Sequence, residues 1–148
     1  MPAIKDEFMP RNQPKVFQLS AEMHYIIHPD HRDSSPQKSQ WTISERTEKD
    51  IFVDALARKW VETTDGWGLW FPNGKIAYVG MSSDNKRQLF IARFVDGTAS
   101  NIWHGYPADH QRCQRDMPSA NVLGAWLRSG ALPRPKLRKL MKGQPCNL

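Results

Sequence analysis

The sequence predicts an α+β fold: one helix packed on an antiparallel four-stranded β-meander, followed by a C-terminal pair of short helices. Three observations lead to this prediction. Apolar residues recur at helical spacing after Thr47. Four apolar runs between residues 67 and 106 are separated by Asn-Gly, a polar loop and Asp-Gly. Two segments after residue 118 open on Pro and close on Gly.

The chain is expected to form a single domain over residues 16–148. Residues 1–15 contain three prolines and no apolar periodicity, which predicts a flexible leader. Residues 16–27 are assigned to a strand, because Val, Phe, Tyr and Ile favour extended structure. Residues 28–40 are rich in Pro, Ser and Asp and are expected to form a loop.

The first helix has a start signal and a stop signal. Thr47 is the expected N-cap, and Glu48 and Asp50 follow it where negative charge favours the helix N-terminus. Asp65-Gly66 is the expected end, since glycine adopts the left-handed conformation common after a helix. The predicted apolar face consists of Ile51, Ala55, Leu56, Trp60 and Val61.

The four predicted strands cover residues 67–71, 75–81, 88–95 and 101–106. Asn73-Gly74 predicts a type I′ turn, in which both central residues have positive φ, and Asp96-Gly97 marks another turn. The second and third strands are apolar on both faces apart from Arg93, so we expect them to be central and covered on both sides.

The last third of the chain has the signals of two short helices. Pro118-Ser119 opens the first, whose apolar residues are Val122, Leu123, Trp126 and Leu127, and Ser129-Gly130 closes it. Pro133 and Pro135 suit only the start of the second helix, because proline has no N–H to donate. The apolar stripe of that helix is Leu137, Leu140 and Met141, with Gly143 as its stop.

Composition excludes several classes of protein. Of the 148 residues 39% are hydrophobic and 24% are charged, as in ordinary globular domains. No apolar run approaches the ~20 residues that span a bilayer, and the acidic residues near the start are unlike a signal peptide. Cys113 and Cys146 are the only cysteines, which is typical of a reducing compartment. We therefore expect a cytoplasmic protein that does not associate with membranes.

The net charge of +6 is concentrated in residues 109–148. Basic and acidic residues balance over residues 1–108, whereas eight basic residues face only Asp109 and Asp116 beyond them. This asymmetry predicts an anionic partner, and nucleic acid bound through its backbone is the leading expectation. The alternative is that the cations merely solvate the outer face of an amphipathic helix. The residues expected to bind phosphates are Arg112, Arg115, Arg128, Arg134, Arg138, Lys139 and Lys142.

A second hypothesis is enzymatic. His104 and Tyr106 end the last predicted strand, and Arg93 lies on the strand before it. An imidazole, a phenol and a cation are the groups that metal-independent RNA cleavage needs. The order of a helix and then a four-stranded meander also resembles the small bacterial ribonuclease toxins, which implies ribonuclease activity centred on His104. The competing expectation is that His104 is a hydrogen-bonded strand residue without a catalytic role.

A third hypothesis is a non-catalytic protein-interaction or immunity-type module whose aromatic sheet face meets another protein. Trp67, Trp70 and Trp103 all fall in the predicted meander, where they would stack on bases, contact a partner or fill the core. Side chains alternate along a strand, so Trp67 and Trp70 are expected on opposite faces with at least one of them buried.

No metal site or cofactor is predicted. The glycines form no phosphate-binding loop. The histidines and cysteines lack the paired spacing of structural zinc sites. The two loose groups of such residues are His104, His110, Cys113 and Cys146, and His24, His28 and His31.

Overall fold

A computed structural model describes residues 15–148 and has a mixed α+β architecture. The predicted leader lies outside the described residues, except that Lys15 begins the first strand. The strands are β1 (Lys15–Gln18), β2 (His24–Ile27), β3 (Gln40–Trp41), β4 (Asp65–Gly68), β5 (Gly80–Met81), β6 (Gln88–Leu89), β7 (Ala92–Val95) and β8 (Ile102–Pro107). The helices are α1 (Glu45–Ala57), α2 (Ala120–Ser129) and α3 (Arg134–Met141), with single 3-10 turns at Pro29–His31 and Gln114–Asp116.

The main sheet has five strands in the order β1-β2-β8-β7-β4. Strand β2 runs parallel to β8, with His24 opposite Ile102, and the other neighbours are antiparallel. The prediction of a purely antiparallel four-stranded meander is therefore wrong in its connectivity. The prediction of a hairpin across Asp96-Gly97 is confirmed, since β7 and β8 pair directly.

The predicted second strand leaves the main sheet. Only Gly80–Met81 of this stretch forms a strand, and it pairs with β3 and β6 in a separate three-stranded sheet. The backbone crosses the end of β8 so closely here that a Cβ on Gly80 would lie 2.5 Å from the Gln40 carbonyl oxygen and 2.4 Å from Pro107 Cγ. The predicted third strand is also divided between the sheets: β6 belongs to the small sheet and β7 to the main sheet.

The turn at Asn73-Gly74 forms, but it is not type I′. Gly74 has a φ of 77°, whereas Asn73 has no positive φ. A single bridge between Trp70 and Ala77 closes the turn, and the two flanking segments then diverge into different sheets. The sequence correctly marks a reversal here, but a reversal does not determine which strands pair.

Helix α1 begins and ends earlier than predicted. Ser44 is the N-cap, and its hydroxyl accepts a hydrogen bond of 3.1 Å from the Thr47 N–H. The helix stops at Ala57, and Lys59 takes a left-handed φ of 63°, so the chain turns well before Asp65-Gly66. Trp60 lies beyond the helix and packs edge-on against Trp126 of α2.

The two C-terminal helices are confirmed. Ser119 caps α2 by accepting from the Val122 N–H, and Gly130 ends it with a φ of 79°. Pro133 precedes α3, and Gly143 beyond it has a φ of 67°. Met141 departs from the predicted apolar stripe, since it is 63% exposed while Leu140 is buried.

One face of the main sheet packs against α1. Tyr25 of β2, Phe94 of β7 and Trp103 of β8 meet Phe52 of the helix with ring centroids 5.1–5.2 Å apart. Side chains alternate along a strand, so the residues between them point to the opposite face, where the 3-10 turn at Gln114–Asp116 contacts Trp67 and Tyr106. No helix within residues 15–148 has the length and apolar character needed to cross a membrane.

Candidate functional site

The face of the main sheet away from α1 presents polar side chains. On β8, Trp103 and Gly105 are buried while His104 and Tyr106 are half-buried on the other side. Arg93 of β7 is directly opposite Tyr106 in the register, and Trp67 of β4 is opposite Arg93. The alternation of β7 and β8 thus places the predicted residues Arg93, His104 and Tyr106 on one face of the sheet.

Part of this face forms the floor of a cleft of about 600 Å³. Tyr106 and Arg93 line it from the sheet. The loop after β2 contributes further lining residues, and so does the segment after β8. They are His31, Gln37, Lys38 and Ser39 from the loop, and Asp109, Arg112, Cys113, Arg115 and Asp116 from the segment. Of the three predicted catalytic residues, two line this cleft; His104 does not.

The carboxylates of the cleft all have partners. Asp65 accepts from Arg93 at 2.7 Å, and Asp109 accepts two hydrogen bonds from Arg87 at 2.6 and 2.7 Å. Asp116 accepts from the Tyr106 hydroxyl at 2.6 Å and from the Asp109 N–H at 2.8 Å. Asp65 and Asp109 are therefore each neutralised by an arginine, whereas Asp116 accepts hydrogen bonds only from neutral donors and has no cationic partner within residues 15–148.

Three cations of the cleft have no acidic partner. Lys38, Arg112 and Arg115 are exposed, and within residues 15–148 none of them forms an ion pair. The Arg112 guanidinium donates to the Ser83 hydroxyl, a neutral group that leaves the charge uncompensated. Unneutralised cations around a concave surface attract anions, because the low-dielectric walls concentrate their field.

Arg93 is the buried cation of the cleft. Its residue is 7% exposed, and its guanidinium lies 4.7 Å from the centre of the Trp67 ring. It donates to Asp65 and to the Phe94 carbonyl, but within the described chain its Nε has no acceptor. A buried donor without a partner is uncommon in folded proteins, but this atom lies beneath the surface and gives the cleft no accessible donor.

His31 is a cleft residue that sequence analysis did not select as catalytic. Its ring stacks on Tyr106 at 5.1 Å with an angle of 16° between the planes. Burial lowers the pKa of His31, and nearby Lys38 and His28 act in the same direction. Burial and the hydrogen bond to Asp116 raise the pKa of Tyr106, so the phenol stays protonated at neutral pH.

His104 lies beside the cleft, next to His28, with ring centroids 5.1 Å apart. Burial lowers the pKa of His104, and His28 and His31 lower it further. The group predicted as catalytic is therefore a neutral, half-buried imidazole outside the cleft lining. The imidazole that lines the cleft beside Tyr106 is that of His31.

The seven cations predicted to bind phosphate are all exposed, and none is ion-paired within residues 15–148. They fall into two groups. The first, Arg112 and Arg115, lines the cleft. The second consists of cations on or next to the C-terminal helices, namely Arg128, Arg134, Arg138, Lys139 and Lys142.

Two further hypotheses from the sequence concern metal binding and the tryptophans of the sheet. Within the described part of the chain, no three His, Cys, Asp or Glu residues are close enough to hold a metal ion. Trp67 and Trp103 are buried, which confirms that at least one of Trp67 and Trp70 is buried. These two tryptophans therefore belong to the interior and offer no surface to bases or to a protein partner.

Sequence reasoning missed His31 and Lys38. Both lie in the loop over residues 28–40, whose composition predicts a loop but gives no sign of what it covers. Their position depends on long-range contacts, such as the hydrogen bond from Ser39 Oγ to the Pro107 carbonyl. No local pattern could have shown that this loop lies against the end of β8.

No protein-family model, curated protein or solved structure matches this chain. Inferences about its function consequently depend on the geometry of the cleft alone.

Proposed function

We propose that the protein binds nucleic acid through the phosphate backbone, with the cleft floored by Tyr106 and Arg93 as the principal contact. One observation supports this most directly: within residues 15–148, Lys38, Arg112 and Arg115 line the cleft without acidic partners. Of the carboxylates in the lining, Asp65 and Asp109 are paired with arginines, so Asp116 is the only one without a cationic partner in that part of the chain and the unpaired cations are in excess. A polyanion supplies the missing negative charge and releases its condensed counterions on binding, which favours association.

The cations of the C-terminal helices extend the positive surface. Arg134, Arg138 and Lys142 follow one another at intervals of four residues, so they share one exposed side of α3 and its end. Such a row suits contact with successive phosphates and carries no base-specific information. The proposed binding is therefore directed at the backbone and tolerant of sequence.

The test is the salt dependence of binding. We expect a fluorescein-labelled oligonucleotide to bind with an association constant that falls steeply between about 50 and 300 mM KCl. Arg112→Gln with Arg115→Gln is expected to lower the slope of the log–log plot by between about 1 and 2, since each lost phosphate contact removes about 0.7 to 0.9. Fluorescence anisotropy measures both quantities.

The matched control is Lys59→Gln with Lys75→Gln, which removes the same charge from exposed residues away from the cleft. Its salt slope should equal that of the unmodified protein. The double variant Arg138→Gln with Lys139→Gln tests the contribution of the C-terminal helices. We expect it to weaken binding less than Arg112→Gln with Arg115→Gln does. Binding that does not respond to salt, or that the cleft pair leaves unchanged, would contradict the proposal.

A further inference from the structure

We propose that the cleft also cleaves the RNA that it binds, with the His31 imidazole removing the proton from the attacking 2′-hydroxyl. This inference rests on the proposed function, since RNA must first occupy the cleft. It assigns the reaction to a residue on the loop after β2, not to His104 on the sheet.

The hydrogen bond of His31 determines which ring nitrogen can act. Nδ1 lies 2.8 Å from the Ser39 carbonyl oxygen, which can only accept a hydrogen bond. Nδ1 must therefore carry the proton in the neutral ring, and the lone pair is on Nε2. Nε2 makes no hydrogen bond within residues 15–148 and is not buried, so it is free to accept a proton.

The surroundings of His31 keep the ring neutral. Burial is the largest effect and lowers its pKa, as do the charges of Lys38 and His28, while the hydrogen bond to the Ser39 carbonyl and the charge of Asp30 oppose it without reversing the shift. The stacked Tyr106 phenol adds no charge, because its own pKa is raised. A neutral imidazole at pH 7 is the form that a general base requires.

The cations of the cleft meet the second requirement of the reaction, which is the stabilisation of negative charge on the phosphate. Negative charge accumulates on the phosphate as the 2′-oxygen attacks, and preorganised donors stabilise it. Arg112 and Arg115 line the cleft, and within residues 15–148 neither has a carboxylate to neutralise it. These two guanidinium groups can supply the positive charge that the reaction requires without a metal ion.

The step balances with water as the only co-reactant. His31 Nε2 takes the 2′-hydroxyl proton, the 2′-oxygen forms a bond to phosphorus, and the bond from phosphorus to the 5′-oxygen breaks. The leaving 5′-oxygen takes a proton from solvent, and His31 returns its proton to solvent. The products are a 2′,3′-cyclic phosphate and a 5′-hydroxyl end. The Tyr106 hydroxyl is held by Asp116 and takes no part in proton transfer.

The test uses a DNA oligonucleotide with one internal uridine ribonucleotide, incubated with the full chain in EDTA at pH 7. We expect cleavage at that nucleotide alone, with the cyclic phosphate identified by mass spectrometry, and no cleavage of the 2′-O-methyl counterpart. His31→Asn should reduce the rate at least about 100-fold, which is the lower range for removing a general base. The matched variant His104→Asn should change it less than about twofold.

The profile of rate against pH gives a measurement that a merely structural histidine would not produce. Because the base must be neutral, the rate should fall on the acid side with a midpoint below 6.5, the ordinary pKa of histidine. This profile and the 2′-O-methyl substrate use the unmodified protein. Because the pKa of His104 is lowered as well, the unchanged rate of His104→Asn completes the assignment to His31 if His31→Asn fails to fold.

The outcomes separate this inference from the proposed function. RNA that binds with the expected salt dependence but stays intact overturns the inference and leaves binding standing. Cleavage by His31→Asn at the unmodified rate, or cleavage of the 2′-O-methyl substrate, overturns the inference as well. Absence of any binding to the oligonucleotide overturns both.

Discussion

The Tyr25 hydroxyl donates a hydrogen bond of 2.5 Å to the carboxylate of Glu48, joining β2 to α1 inside the core. Arg32 contacts the other oxygen of that carboxylate at 2.7 Å and also donates to the Ile43 carbonyl. Arg32 directly follows His31, so this buried group holds the loop that lines the cleft. The position of the proposed base thus depends on a network in the interior.

Glu48 makes the stability of the fold dependent on pH. Burial raises its pKa from 4.5 to about 7, although Tyr25 and Arg32 oppose this effect. The folded chain therefore binds more protons than the unfolded chain between these values, and the free energy of unfolding falls as pH rises from about 4.5 to about 7. The loss reaches about 3 kcal/mol at roughly 1.4 kcal/mol per pH unit. Glu48→Gln should remove it.

The measurement is the difference in unfolding free energy between Glu48→Gln and the unmodified protein, from urea denaturation at pH 5 and pH 8. Taking the difference cancels the titration of the half-buried histidines. We expect it to favour the variant more at pH 8 than at pH 5. Asp50→Asn, an exposed change on the same helix, is the control. Parallel curves for Glu48→Gln and the unmodified protein would show that the carboxyl group does not titrate in this range.

Gly105 permits the close packing beneath β8. A Cβ there would lie 2.6 Å from Phe94 Cδ1, 2.7 Å from the Tyr25 hydroxyl and 2.9 Å from the Arg93 carbonyl oxygen. Gly105→Ala should lower the free energy of unfolding by about 1 to 3 kcal/mol, the usual cost of overpacking a core. Gly97→Ala is the control, because nothing lies within 4 Å of its Cβ and its φ is not positive. Equal stabilities of the two variants would contradict this reading of the packing.

The pair of Arg87 and Asp109 connects the loop after β5 to the segment after β8. Asp109 is buried and Arg87 is partly exposed. Arg87→Ala would leave a buried carboxylate unpaired, and we expect a loss of about 3 kcal/mol in thermal or urea unfolding. Arg58→Ala breaks an exposed pair with Asp54 and should cost less than about 1 kcal/mol. Adding Asp109→Asn to Arg87→Ala should recover part of the loss; no recovery would exclude the unpaired charge as its cause.

The N-cap of α1 can be identified by substitution. Ser44→Ala removes the acceptor for the Thr47 N–H and should destabilise the protein by about 1 kcal/mol. Thr47→Ala keeps its own N–H and the Ser44 acceptor, so its effect should be smaller. Urea denaturation of both variants distinguishes them, and a larger effect at Thr47 would restore the assignment made from sequence.

The features predicted most accurately from the sequence are those that a short segment determines by itself. Helices α2 and α3 begin and end near the Ser, Pro and Gly residues that mark them, because capping depends on neighbouring residues alone. The hairpin of β7 and β8 follows from a single turn. By contrast, β2 beside β8 and β4 beside β7 join residues far apart in the chain, and apolar alternation does not specify a partner.

The candidate site likewise has features that local sequence determines and features that depend on distant contacts. The side-chain period of two along β8 places His104 and Tyr106 on one face, and the observed register with β7 adds Arg93 to it. Which of them border a cleft depends on the loop over residues 28–40 and on the segment after β8. Both lie against the sheet through contacts such as Ser39 with Pro107 and Tyr106 with Asp116, which no spacing reveals.

The parallel pairing of β2 with β8 has a consequence for biosynthesis. The residues that pair, such as His24 and Ile102, are separated by about half the chain, so an emerging polypeptide cannot complete its main sheet until β8 has left the ribosome. Until then the β2 edge of the β1–β2 hairpin stays open, which is a surface for pairing with another molecule. Contacts of such large sequence separation also slow folding, which lengthens the time for which this edge is exposed.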